Sequence, residues 1–118
     1  NIMIKNNEKK IYNISADLIP ADIEIIKVYM LGAINAFCNV KPNEPFSARI
    51  LFGGNNRNWG NTPMQKLYDY YIKEGKSEED AHQSAAIDAG RLLKALLERD
   101  SRDFEIVGKD TGTLYKLI

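Results

Sequence analysis

The sequence predicts an α+β fold: three main helices, a C-terminal β-hairpin and a short N-terminal strand, in a single domain over residues 1–118. Two patterns and a composition support this. Apolar residues recur at helical spacing from Ala21 to Cys38, from Thr62 to Glu74 and from Ser77 to Glu98. Two alternating stretches, Phe104–Val107 and Thr113–Leu117, flank the turn-rich Gly108–Gly112. A chain of 118 residues that is 44% hydrophobic and 27% charged has the profile of one ordinary domain, large enough to bury a core without disulfides.

Taken in order, Lys9 to Ile14 alternates imperfectly through Ile11, Tyr12 and Ile14 and reads as a short strand, broken by Ser15 to Pro20. The first helix spans about Ala21 to Cys38, since Pro20 and Asp22 suit a helix start and no breaker follows until Pro42. Ile23, Ile26, Met30, Ala33 and Phe37 make one apolar face, while Ile25, Val28, Leu31 and Ile34 spread apolar character to nearly every other face. Lys41 to Pro45 is a connector. Phe46 to Phe52 follows as a short apolar element with Ser47 as cap.

Gly53 to Asn61 holds three glycines and four asparagines, which cannot sustain a regular element. Thr62-Pro63 then caps and opens a helix to about Glu74, and Gly75 ends it. Ser77 to Asp80 resembles a capping box and opens the last helix, which runs to about Glu98. In it Ala81, Ala85 and Ala89 form a small-residue ridge suited to close helix approach, and Leu92, Leu93, Leu96 and Leu97 take over the core face.

Composition also excludes functions. One cysteine, Cys38, and one histidine, His82, cannot build a Cys/His zinc site, and no metal or cofactor is expected. Lys+Arg 16 against Asp+Glu 16 removes the global positive field of non-specific nucleic-acid binders. Cys38 reads as a buried thiol and His82 as a solvated surface residue, and Gly53-Gly54 lacks the spacing of a phosphate loop. An enzyme is not expected. The polar first ten residues and an apolar run limited to Ile25–Leu31 argue against a signal segment or membrane span, so the expected location is the cytoplasm.

The Gly53–Asn61 loop is the main candidate for function. Its glycine backbone, with Asn55 and Asn58, offers donors to an anion; Arg57 offers a guanidinium fork and Trp59 a stacking face for a base. Arg49, Arg91 and Arg102 are further candidates for phosphate pairing. The expected partner is therefore an anionic small molecule, a nucleotide. The plainer alternative is that Trp59 folds into the core, the asparagines cap turns and Arg57 is solvated.

A second reading follows from element order: helix, turn at Gly75, helix, hairpin is the order of a helix-turn-helix with a wing. Glu78, Glu79 and Asp80 would bring negative charge to the DNA end of the second helix, which makes nucleic acid the less favoured partner. Inhibition of a host protein by surface docking is a third.

The block Pro45-Phe46-Ser47-Ala48-Arg49, Leu51-Phe52-Gly53, Trp59, Thr62-Pro63, Leu67-Tyr68, Asp88-Ala89-Gly90-Arg91-Leu92-Leu93 and Phe104-Glu105 resembles small phage and prophage proteins. Among them it is similar to the oligomeric anti-defence sponges that sequester the cyclic ADP-ribose signal of the Thoeris immune system. The resemblance covers about residues 20–106 and implies ligand capture without catalysis, in a symmetric oligomer with pockets near subunit boundaries. A winged-helix resemblance, over Phe46–Leu117, is the alternative. The first helix exposes more apolar surface than one three-helix domain covers, which predicts a homo-oligomer built from dimers, with Ile25, Val28 and Leu31 in a two-fold contact.

Overall fold

The computed structural model describes residues 12–53, 59–109 and 112–118. Its elements, in order, are α1 (Pro20–Val40), α2 (Ala48–Phe52), α3 (Gln65–Lys73), α4 (Glu78–Arg99), β1 (Phe104–Lys109) and β2 (Thr113–Leu117). The α+β class and the C-terminal hairpin expected from the sequence are both present.

Helix α1 starts with Pro20 at its first position and buries Ile23, Ile26, Met30, Ile34 and Cys38. These lie three or four residues apart, so they form one continuous stripe along the helix. At 21 residues, with a mean hydropathy of 1.4 in its most apolar window, α1 is long and apolar enough to cross a membrane by length and composition alone, a test that the core helix of a soluble protein also passes. In the fold its buried stripe packs into the one hydrophobic core cluster, alongside Leu67, Tyr71, Ala81, Ala85, Leu92 and Phe46.

Three further starts show how local chemistry sets element boundaries. The Ser47 hydroxyl accepts from the Ile50 amide and opens α2. Thr62 makes two bonds, its hydroxyl donating to the Trp59 carbonyl and accepting from the Met64 amide. That turn delays α3 to Gln65, three residues after the expected cap. Ser77 accepts from the Asp80 amide at 3.2 Å and opens α4. Between α3 and α4, Gly75 sits at φ +93°, a conformation that disfavours side-chain-bearing residues.

The helices α3 and α4 make the most extensive helix–helix contact, and the ridge Ala81, Ala85, Ala89 is buried as expected. The strands β1 and β2 pair antiparallel, Phe104 opposite Leu117 and Ile106 opposite Tyr115, with an irregularity between Ile106 and Gly108. Phe46 adds a third short contact to this sheet: its amide and carbonyl both bond Tyr115 at 2.8 Å. The rings of Phe37, Phe104 and Tyr115 surround Phe46 at 5.4–6.2 Å between centroids, joining α1 to the hairpin.

The N-terminal strand is corrected where it is described. Residues 9–11 lie outside the described part; Tyr12 is helical and Asn13 takes φ +55°, which extended pairing cannot accommodate. The segment is held by a side chain. Asp88, on α4 and 1% exposed, accepts from the amides of Ser15 (2.8 Å) and Ala16 (3.1 Å) and from the Tyr71 hydroxyl (2.6 Å).

Candidate functional site

One side of α4 forms the wall of a half-open cleft of about 940 Å³, within the size range of small-molecule sites. Along that wall run Glu78, Glu79, His82, Gln83, Ala86, Gly90 and Lys94; Arg49 of α2, Gly53, Trp59 and the hairpin residues Gly112, Thr113 and Tyr115 complete the lining. Successive turns of α4 place this set on one side because its members recur every three or four residues.

Charge is distributed unevenly along the cleft. Glu78 and Glu79 stand at the first turn of α4, where the helix dipole favours carboxylates. Arg91 and Lys94 stand three and four turns further on, so the acidic and cationic ends lie roughly 20 Å apart at 1.5 Å per residue. Arg49, Arg91 and Lys94 all line the cleft, and among the described residues none of them has a carboxylate partner. His82 lies between the two ends. Its ring stacks on Tyr68 with centroids 4.5 Å apart, so it is half-buried and part of the wall, not the solvated surface residue expected.

The sequence-predicted residues separate into four groups. Arg49 and Arg91 meet at the cleft. Asn55, Arg57 and Asn58 lie outside the described residues, between the cleft-lining Gly53 and Trp59. Trp59 is 2% exposed, and its indole N–H donates to the Phe52 carbonyl at 3.0 Å. It therefore packs as the floor of the cleft, and its stacking face is largely taken up by the core.

Arg102 is placed elsewhere and is occupied. It lies beside a second, shallower cavity of about 470 Å³ with Tyr12, Asn35 and Asp100. Its Nε and Nη2 donate to the two Asp100 carboxylate oxygens at 2.8 Å, and Nη2 also reaches the Asn35 side-chain oxygen at 2.8 Å. The guanidinium holds the Asp100 carboxyl down to about 2 and fastens the α4–β1 turn to α1. Those bonds occupy its bidentate Nε–Nη2 edge. Cys38 is buried, and burial pushes its thiol up, consistent with the inert thiol read from the sequence.

Sequence reading missed Lys94 and the role of His82. The three-residue spacing of Arg91 and Lys94 was the available signal for the cationic end. No family model, characterised protein or solved structure matches this chain.

Proposed function

We propose that the protein is a non-enzymatic, oligomeric binding protein of the cytoplasm that captures an anionic small molecule, a nucleotide, in the α4 cleft. The observation that carries this reading is a 940 Å³ cleft with two guanidinium groups, Arg49 and Arg91, that no carboxylate of the described residues neutralises. An arginine without an internal partner is suited to bidentate phosphate binding. The acidic end gives the reading its polarity: Glu78 accepts hydrogen bonds from the amino groups of a base while the phosphates lie toward Arg91. With the resemblance read from residues 20–106 of the sequence, the capture would serve anti-defence sequestration.

Self-association belongs to the same reading. On α1, Ile25 (47% exposed) and Val28 (61% exposed) lie outside the core, while Leu31 is half-buried against it. The test of capture is a thermal-shift panel of mono-, di- and cyclic nucleotides, together with mass spectrometry of whatever co-purifies. A stabilising shift that disappears in Arg49→Gln and Arg91→Gln supports the reading; a flat panel with no co-purifying anion overturns it.

A second reading has one observation in its favour. The Phe46–Tyr115 bridge adds an extended contact between α1 and α2; with the short α2 set aside, the order helix, extended contact, helix, helix, hairpin follows that of winged-helix domains. Duplex binding that falls steeply with salt and is lost on neutralising Lys109 or Lys116 would support it over capture.

A further inference from the structure

Helix α4 carries a line of exposed or half-exposed residues along the outer rim of the cleft: Glu79, Gln83, Ala86, Ile87, Gly90 and Lys94. At 3.6 residues per turn they form one narrow strip, about a quarter-turn round the helix from the cleft-floor positions Ala89 and Leu93. Three features of this strip have no explanation among the described residues. Ile87 is 55% exposed. Gly90 sits inside a 22-residue helix although a Cβ added there meets nothing within 4 Å among the described residues, and its backbone is helical, so neither gives a reason for glycine there. Glu79 and Lys94, at the two ends, make no ion pair among the described residues.

All three are accounted for by a second copy of the same strip running antiparallel. We propose that α4 pairs with α4 of another copy of this chain about a two-fold axis passing between Ala86 and Ile87. In that register the strip is self-complementary. Glu79 of each copy faces Lys94 of the other, Gln83 faces the gap at Gly90, and Ile87 faces the small side chain of Ala86. Each large residue thus meets a small one, and each charge meets its opposite, twice over because the contact is isologous. A parallel pairing would place Glu79 against Glu79 and Lys94 against Lys94, which is repulsive. The α1 face, with Ile25 and Val28, is apolar but carries no such code, so the charge pattern of α4 is what commits the partner to a second copy. This pairing rests on the cleft reading in that it takes Glu79 and Lys94 from the same wall and leaves Arg49 and Arg91 to the anion; the oligomeric state reports on the pairing and the nucleotide panel on capture, so the two failures are read separately.

A charge-swap series read by sedimentation velocity from about 1 to 200 μM tests the pairing. The wild-type chain is expected to dimerise, more weakly as salt rises. Glu79→Lys and Lys94→Glu each bring like charges together at both ends and are expected to raise the dimer Kd by about tenfold or more. The double variant E79K/K94E restores both pairs with their signs reversed and is expected within about threefold of wild type. Gly90→Leu fills the gap that receives Gln83 and is expected to weaken the dimer while circular dichroism shows an intact fold. A wild-type monomer at the highest concentration overturns the proposal. So do single reversals that leave Kd unchanged, a double variant as weak as the singles, or dissociation by Val28→Glu alone.

Discussion

Two regions along α4 treat charge in opposite ways. Asp88 is buried and meets three donors from within the chain, two backbone amides and a phenol. The cleft gathers Arg49, Arg91 and Lys94 with no carboxylate of the described residues paired to them. A buried ion is tolerated only when its bonds are complete, whereas an exposed one is held by water until something binds. Asp88 is therefore a structural group, and the cleft cations are the ones open to an outside partner. Burial and the phenol's bond to the Asp88 carboxylate push the Tyr71 hydroxyl up, which keeps it a donor throughout the physiological range.

The comparison breaks first at Asp88. Asp88→Ala leaves three donors without their acceptor, those of Ala16 and Tyr71 buried and that of Ser15 part-buried, and is expected to lower stability in urea by about 3–5 kcal/mol. Tyr71→Phe removes one of the three bonds and is expected to lower it by about 1–2 kcal/mol. A cost for Asp88→Ala no larger than that of an exposed substitution would show that the centre is not structural.

The Asp100–Arg102 pair is the partnered counterpart of the cleft arginines. Its carboxyl is held at about 2, against an ordinary 3.8, chiefly by the Arg102 side chain. A depressed folded-state value stabilises the fold above the unfolded-state value, and that contribution fades as pH falls from about 4 towards 2. Asp100→Asn is expected to lower stability by about 1–2 kcal/mol at pH 6, and the gap from wild type should close near pH 2. A gap that is constant between the two pH values would contradict an ionic origin.

The cleft arginines should behave in the reverse manner. Arg49→Gln and Arg91→Gln are each expected to change stability by less than about 0.5 kcal/mol while weakening nucleotide binding about tenfold, near 1.4 kcal/mol. Calorimetry on the nucleotide selected by the panel, together with urea melts, separates the two quantities. A large stability loss would place these side chains in the Asp88 class.

A modest effect is expected at the start of α4, whose first turn opens both the core face and the cleft wall. Ser77→Ala removes the side-chain acceptor for the Asp80 amide and is expected to cost about 1 kcal/mol, read from the urea midpoint. A larger loss would mean that the first turn also supports the cleft wall through Glu78 and Glu79.

Sequence periodicity and capping residues determined most of the architecture. Helix α1, the Ser47 and Ser77 caps, the Gly75 turn, the alanine ridge of α4 and both hairpin strands follow from local rules, because backbone hydrogen bonding and side-chain spacing act within a few residues. Arg49 and Arg91 were legible as anion candidates by residue type alone. Tertiary structure decided the rest. It buried Trp59 and gave its N–H to Phe52, sent Arg102 to Asp100, and stacked His82 on Tyr68. It also made Asp88 the anchor of Ser15 and Ala16, 73 and 72 residues away along the chain. Which polar groups end up satisfied depends on which distant donors and acceptors the packed core brings within about 3 Å, and local spacing holds no information about that.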